Sequence, residues 1–201
     1  IEPYMDAATF DTARKLLLDR LDDICAKFEL TNDARRTLSN MQPDDFSYLA
    51  PFDSAAIPDG SLDLIVSRAV LEHIPPDDLQ FLMIRLRSKL KRDGLMAHAI
   101  DNSDHYEHRD KSISRVNFLT WSPRKHRIVE WLAGNEGENR LRHHEYQSLF
   151  EQSGYETVLA ASDICQRTRD ALPQLRLASP YRFMTQDQLA ALGSYYVARP
   201  V

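Results

Sequence analysis

Residues 51–101 read PFDSAAIPDG SLDLIVSRAV LEHIPPDDLQ FLMIRLRSKL KRDGLMAHAI D. Leu64, Ile65 and Val66 form a short apolar run, and the turn residues Pro58-Asp59-Gly60-Ser61 stand just ahead of it. Such a run suits a strand over 62–67 that is buried on both faces. The spacing of Leu79, Leu82, Met83, Leu86 and Leu90 predicts a helix, with Asp77 or Asp78 as its cap. Gly94 is expected to end that helix in the left-handed conformation, which glycine reaches without steric cost. A second strand follows over 95–100. Strand, helix and strand with a short turn make a βαβ unit with parallel strands. Chemistry in open parallel sheets gathers beyond the carboxyl ends of the strands. Those ends are residues 67–73 and 101–108, both rich in acids and histidines.

The surroundings bound the function. A chain of 201 residues, 43% hydrophobic and 27% charged, is long enough for one globular domain with a full core. A net charge of −5 argues against a protein that grips nucleic acid through a broad basic surface. No apolar run approaches the length of a bilayer span, so no membrane partner is expected. Cys25 and Cys165 lie far apart and match no zinc spacing, so a reduced, cytoplasmic compartment is the default.

Ahead of the quoted stretch, residues 1–6 read as the exit from a strand. A helix is expected over 9–28, with Phe10, Ala13, Leu17, Leu21, Ile24, Cys25 and Phe28 on its apolar face. A shorter helix covers 33–41, Pro43 breaks it, and a strand is expected over 46–49. Beyond Asp101, the polar stretch 102–142 is too long for a plain crossover and reads as a lid or insertion over the strand ends. Gly134 to Gly137 marks a loop within it. A helix over 144–153 turns Tyr146, Leu149 and Phe150 inward and stops at Gly154. A strand covers 155–161, and 168–175 is a short helix or loop. Thr185 caps a helix over 186–192, and a closing strand covers 194–198.

The ordered set Pro-Asp-Gly-Ser-Leu-Asp-Leu-Ile-Val-Ser (58–67), Val-Leu-Glu-His-Ile (70–74) and Leu-Lys-Arg-Asp-Gly-Leu-Met (90–96) resembles the middle of a class I S-adenosylmethionine-dependent methyltransferase. About a quarter of the chain carries the pattern closely, and a looser match runs to about Ala161. The resemblance implies an α/β fold: a Rossmann-like, mostly parallel sheet with flanking helices and a C-terminal antiparallel hairpin, in one domain over 1–201. It also implies S-adenosyl-L-methionine as cofactor. None of the six glycines precedes Gly60, so the family's Gly-rich loop and first two strands are expected upstream of Ile1. Glu2 is a weak alternative for the acid that holds the ribose.

The resemblance also distributes roles. Asp53 would accept a hydrogen bond from the adenine amino group. Ser67, Arg68 and Ala69 would lie beside the methionine part and the transferable methyl. From the residues themselves, Glu72 can bind a substrate amine or hydroxyl, and His73 can act as a base. Each has a plainer reading, as a turn former, a helix-end charge or a loop-bonded histidine. Read from the residues alone, Asp101, Asp104, His105, His108 and Asp110 form the densest polar cluster. Asp101 or His105 can take a proton from a substrate hydroxyl, since histidine's ordinary pKa near 6.5 suits a base at neutral pH. The same cluster can bind a divalent metal, or be a solvated turn. Arg140, Arg142, His143 and His144 form a second knot, in which Arg140 and Arg142 can hold a phosphate or carboxylate and His143 and His144 can join the first cluster across the cleft, with Arg140 and His143 as the substrate-binding candidates; the plainer reading is a helix start with solvent-facing charge.

Three readings follow. The first is in-line methyl transfer to a small-molecule or sugar-containing metabolite, needing positioning and water exclusion but no resident metal or nucleophile triad. The second is a catalytically inactive binding protein on the same fold. The third is a metal-dependent enzyme built on the Asp101–His108 cluster. A small-molecule substrate is the expected partner, and a homodimer is left open.

Overall fold

The computed structural model describes residues 7–47, 49, 51–132 and 138–201. The readings of 1–6, Glu2 included, and of Gly134 to Gly137 therefore lie outside the described residues. The chain divides into two compact units, Ile1–Ala56 and Ile57–Val201.

The first unit is helical. α1 (Ala7–Asp19) and α2 (Leu21–Lys27) replace the single helix expected over 9–28. Arg20 between them sits at φ −114° and ψ 7°, outside helical geometry. Phe10 and Leu21 are buried as the periodicity asks, whereas Phe28 is exposed. Thr31 starts α3 (Asn32–Ser39) by accepting the Ala34 N–H at 3.2 Å. No strand forms over 46–49 among the described residues. A 3-10 turn, Pro43–Asp45, precedes it, with Gln42 N–H donating to Asp45 Oδ2 at 2.8 Å. A strand needs a neighbouring ladder, and the described residues of this unit offer none.

The second unit is the α/β body. Its elements run β1 (Leu62–Arg68), α4 (Pro76–Arg87), β2 (Leu90–Asp101), α5 (His105–Arg109), α6 (Pro123–Leu132), α7 (His143–Gln152), β3 (Tyr155–Ile164), α8 (Gln166–Ala171), α9 (Gln186–Ala190) and β4 (Ala191–Pro200). The sheet order is β1-β2-β4-β3. β1 and β2 are parallel, with Val66 opposite Ala97, and β4 runs antiparallel to both β2 and β3. The parallel pair and the closing hairpin are thus as expected.

Three local expectations are corrected. α4 begins with Pro76 at its first position after Pro75, and Asp77 and Asp78 lie inside the first turn. Proline is pre-set for that position and lacks the N–H that would be left unpaired there. Gly94 does not end the helix; it lies within β2. A Cβ on it would meet Leu62 O at 3.0 Å and Lys91 O at 3.1 Å, beside the register shift between Leu62 and Leu64. Close backbone approach at an irregularity, not a left-handed φ, explains glycine there. Finally, β1 is not buried on both faces: Leu64 and Val66 are 54% and 65% exposed. Ile65 and its neighbour Met96 on β2 face the helices instead.

The core lies between that inner face and two helices. Leu79, Met83 and Leu86 of α4 and Tyr146 and Phe150 of α7 pack on Met96, Ile100, Tyr196 and Ala198. Phe150 meets Tyr196 edge-on at 5.1 Å, and the Tyr155 hydroxyl donates to Met83 O at 3.0 Å. Gly154, at φ +86°, stops α7 as expected. A second apolar cluster joins Val116, Phe118 and Leu119 to Leu172, Tyr181 and Leu189. The excursion after Asp101 is thus anchored through Val116, Phe118 and Leu119 on the segment 172–192. Among the described residues, no helix is long and apolar enough to cross a membrane.

Candidate functional site

Parallel pairing of β1 with β2 brings residues 67–73 beside residues 99–105. Ala69 N–H donates to Ala99 O at 2.9 Å, and Ala69 itself takes φ +51°. A non-glycine residue in that region is strained, and such strain gathers at functional sites. Above the strand ends opens a cavity of about 350 Å³. Arg68, Ala69 and Asp101 line it from β1 and β2, with Arg115, Asp163 and Tyr195 across from them. Gly193 keeps it open, because a Cβ there would lie 3.1 Å from Asp163 Oδ2 and 3.2 Å from the Tyr195 hydroxyl.

Asp101 connects the cavity to a charged cluster behind it. Its Oδ1 accepts from Ser103 N–H at 2.8 Å and from Ser103 Oγ at 2.7 Å, while Oδ2 lies 3.7 Å from His105 Nε2. Burial pushes Asp101 upward, but pairing with His105 and the Ser103 hydrogen bonds outweigh it and hold the carboxyl well below the usual range. On its other side, the His105 ring sets Nδ1 3.1 Å from Glu138 Oε1. Glu138 also accepts the His105 backbone N–H at 2.6 Å. Pairing with Asp101, against burial and together with the nearby carboxylates of Glu138 and Glu72, raises His105 above its ordinary value. Burial pushes Glu138 up to about 7.

Glu72 completes the cluster. It is 1% exposed, and its Oε1 accepts the Asp101 N–H at a long 3.3 Å. Burial raises its carboxyl. The His73 and His105 rings lie 5.0 Å apart, and His105 stacks on His108 at 4.9 Å. Asn139 holds this turn down: its N–H donates to Glu72 O at 2.7 Å, and its side-chain amide donates to Leu71 O and Ile74 O, both at 2.9 Å.

The expected site residues divide accordingly. Arg68, Ala69 and Asp101 share the cavity, and Glu72, His73, Asp101 and His105 share the cluster. Ser67 is turned toward the core, its hydroxyl 2.8 Å from His98 Nδ1. Asp53 belongs to the first unit, where its Oδ1 accepts Ala55 N–H at 2.8 Å. Arg140 is 8% exposed and donates to Phe118 O and Trp121 O at 3.0 and 2.9 Å. His143 is bonded inward through Nδ1, at 2.7 Å to the Tyr196 hydroxyl and 3.1 Å to Ser194 Oγ. Of the other acids in 101–110, Asp104 is fully buried and accepts Tyr106 and Phe118 N–H groups at 2.9 and 2.7 Å, whereas Asp110 caps an exposed turn through Ser112. Glu138 was not legible in advance. Its one signal is an acid directly before Asn139-Arg140, but its partner His105 lies 33 residues away.

A family model described as a methyltransferase domain matches residues 6–160. No curated protein matches. Among solved structures, an S-adenosylmethionine-dependent methyltransferase from Mesorhizobium loti is 14% identical, covering 71% of this chain and 63% of that one at a TM-score of 0.42. A possible exported protein from Bordetella parapertussis is 12% identical, covering 98% of this chain and 51% of that one at 0.44. A phosphoethanolamine N-methyltransferase 2 from Haemonchus contortus, in complex with phosphomonomethylethanolamine and S-adenosylhomocysteine, is 14% identical, covering 74% of this chain and 36% of that one at 0.39. The chain spans less than two thirds of each of these proteins.

Proposed function

Since this chain belongs to the methyltransferase domain family, matched over residues 6–160, we propose that it transfers a methyl group from S-adenosylmethionine to a small-molecule acceptor. The observation that supports this reading is the cavity of about 350 Å³ at the carboxyl ends of two parallel strands.

The donor set of that cavity fits the methionine end of the cofactor. An amino-acid group carries a carboxylate and an ammonium, and the lining residues include the basic Arg68 and Arg115 and the acidic Asp101 and Asp163. Gly193 leaves the room that a Cβ would take. When bound, S-adenosylmethionine supplies a methyl group on a positively charged sulfur, already activated for attack. The protein's part is then to position and to exclude water.

In this reading Arg68 and the strained Ala69 backbone hold the amino-acid end, and Ser67 contributes through its backbone. Asp53, in the first unit, has the role of acceptor for the adenine amino group on the resemblance alone. Asp101 and His105 receive the proton that an acceptor hydroxyl releases, with Glu138 orienting the imidazole through Nδ1. Glu72 and His73 flank the acceptor. Arg140 and His143 keep their assignment to the acceptor's anionic part: Arg140 Nη1 and His143 Nδ1 are bonded within the protein, while Arg140 Nε is buried without a hydrogen-bond partner. The described residues of 102–142 are assigned as the lid. The acceptor is a small metabolite, with a sugar-bearing one as the finer assignment.

Calorimetric titration of the chain with S-adenosylmethionine and S-adenosylhomocysteine tests the reading. Saturable binding of both is expected, and Arg68→Ala should weaken it about tenfold, the loss of one charge-assisted hydrogen bond. No binding of either at millimolar concentration refutes it.

A further inference from the structure

We propose that Glu72, His73 and His105 form a site for one divalent cation of the zinc class, with Glu138 behind His105 as the carboxylate that orients it. Each of the three offers a ligand atom, and these atoms lie within 4.8 Å of one another. An ion centred among three such atoms lies at most about 2.8 Å from each, against roughly 2.0–2.2 Å for bound zinc, so sub-ångström side-chain shifts close the site.

A buried orphan points the same way. Glu72 is 1% exposed, yet its Oε2 has no hydrogen-bond partner. His105 Nε2 is not such an orphan, since Asp101 Oδ2 lies 3.7 Å from it, although it makes no hydrogen bond. A buried carboxylate oxygen lacking a donor is costly, and a cation satisfies it. Glu138 Oε1 lies 3.1 Å from Nδ1 of the same ring, so a proton held there toward Glu138 would give Nε2, 3.7 Å from Asp101 Oδ2, the lone pair that an ion needs. A carboxylate behind a ligating imidazole is the usual outer partner of such a ligand.

Two imidazoles and one carboxylate select a borderline ion over magnesium or calcium, which prefer oxygen alone. Glu72 anchors the ion from the buried side, while His73 is exposed and leaves positions open to water or to an acceptor oxygen. The ion's role toward the acceptor rests on the methyl-transfer reading; the site itself does not. With an ion bound, His105 would be a ligand rather than a base, and the ion would supply the acidification of an acceptor hydroxyl on its open side.

The test uses the whole chain, freed of metal by chelator and titrated calorimetrically with zinc chloride. One ion per chain is expected, with magnesium giving no competition. Glu72→Gln, which keeps the side chain's shape, His73→Ala and His105→Ala should each weaken zinc binding at least tenfold, and Glu138→Gln by roughly 10- to 100-fold. Cobalt(II) should give the unaltered protein a visible absorption stronger than that of the aquo ion, a readout that needs no variant to fold. Absence of zinc binding, binding unchanged in folded Glu72→Gln, or an aquo-like cobalt spectrum overturns the site. Zinc binding without cofactor binding leaves the site standing and removes the methyl-transfer reading, and the reverse result separates the two equally.

Discussion

Replacing Arg142 by methionine probes how the floor beneath the strand ends is held. The side chain is fully buried and donates to Asn102 O at 2.8 Å, Ala191 O at 2.7 Å and Leu189 O at 3.2 Å. It thereby pins the end of α9 and the start of β4 to the residue that follows Asp101. Burial lowers its pKa only to about 10, so it remains a cation at neutral pH. Methionine keeps the stem but donates nothing. Ala191 O retains the Asn102 side-chain amide at 3.3 Å, whereas Asn102 O and Leu189 O lose the guanidinium. Two such losses at about 1–3 kcal/mol each, partly offset by no longer burying a charge, leave a net destabilisation of about 2–4 kcal/mol. In urea, at an m-value of about 2 kcal/mol/M, the midpoint should fall by roughly 1–2 M with the slope unchanged. Arg142→Lys, with one compact head for three carbonyls, should fall between. A midpoint shift under about 0.3 M for the methionine variant would refute the assignment of Arg142 as the clamp.

Gly193→Ala should leave the fold intact but crowd Asp163 Oδ2 and the Tyr195 hydroxyl; the resulting loss in kcat/KM or in cofactor affinity is expected to be roughly tenfold or more, read by kinetics or calorimetry. His98 is 4% exposed, and burial lowers its pKa to about 4. The unfolded chain therefore takes up that proton first, near pH 6.5, and stability should fall as pH drops from about 6.5 to 4, by at most about 3 kcal/mol. His98→Gln should flatten that part of the urea-midpoint profile against pH. Gly154→Ala forces φ +86° on a residue with a Cβ and meets Arg87 Nη1 at 2.5 Å; thermal unfolding should show a loss of about 1–2 kcal/mol, with the flexible Arg87 absorbing the contact.

Local signals and tertiary outcomes part company at identifiable residues. Gly154 and Thr185 act within one or two turns of their own position, so both stop and cap were legible: Thr185 Oγ1 accepts Gln188 N–H at 3.2 Å, while Gln188 Oε1 accepts the Thr185 N–H at 2.8 Å. Gly94 was misread because its neighbour Leu62 O comes from another strand. Val66 was misread because an apolar run states that burial is favourable, not which face a helix covers.

The site follows the same division. By itself the sequence determined the βαβ order and the placing of Asp101 and His105 at a strand terminus, since periodicity and turn chemistry are properties of neighbouring residues; the closing hairpin was implied by the family resemblance. Only the tertiary structure decided that Glu72 and Glu138 close on His105, that Arg140 and His143 turn inward, and that Gly193 clears the cavity. Those outcomes depend on strand register and on desolvation, and both arise only when segments about 20 to 125 residues apart are brought together.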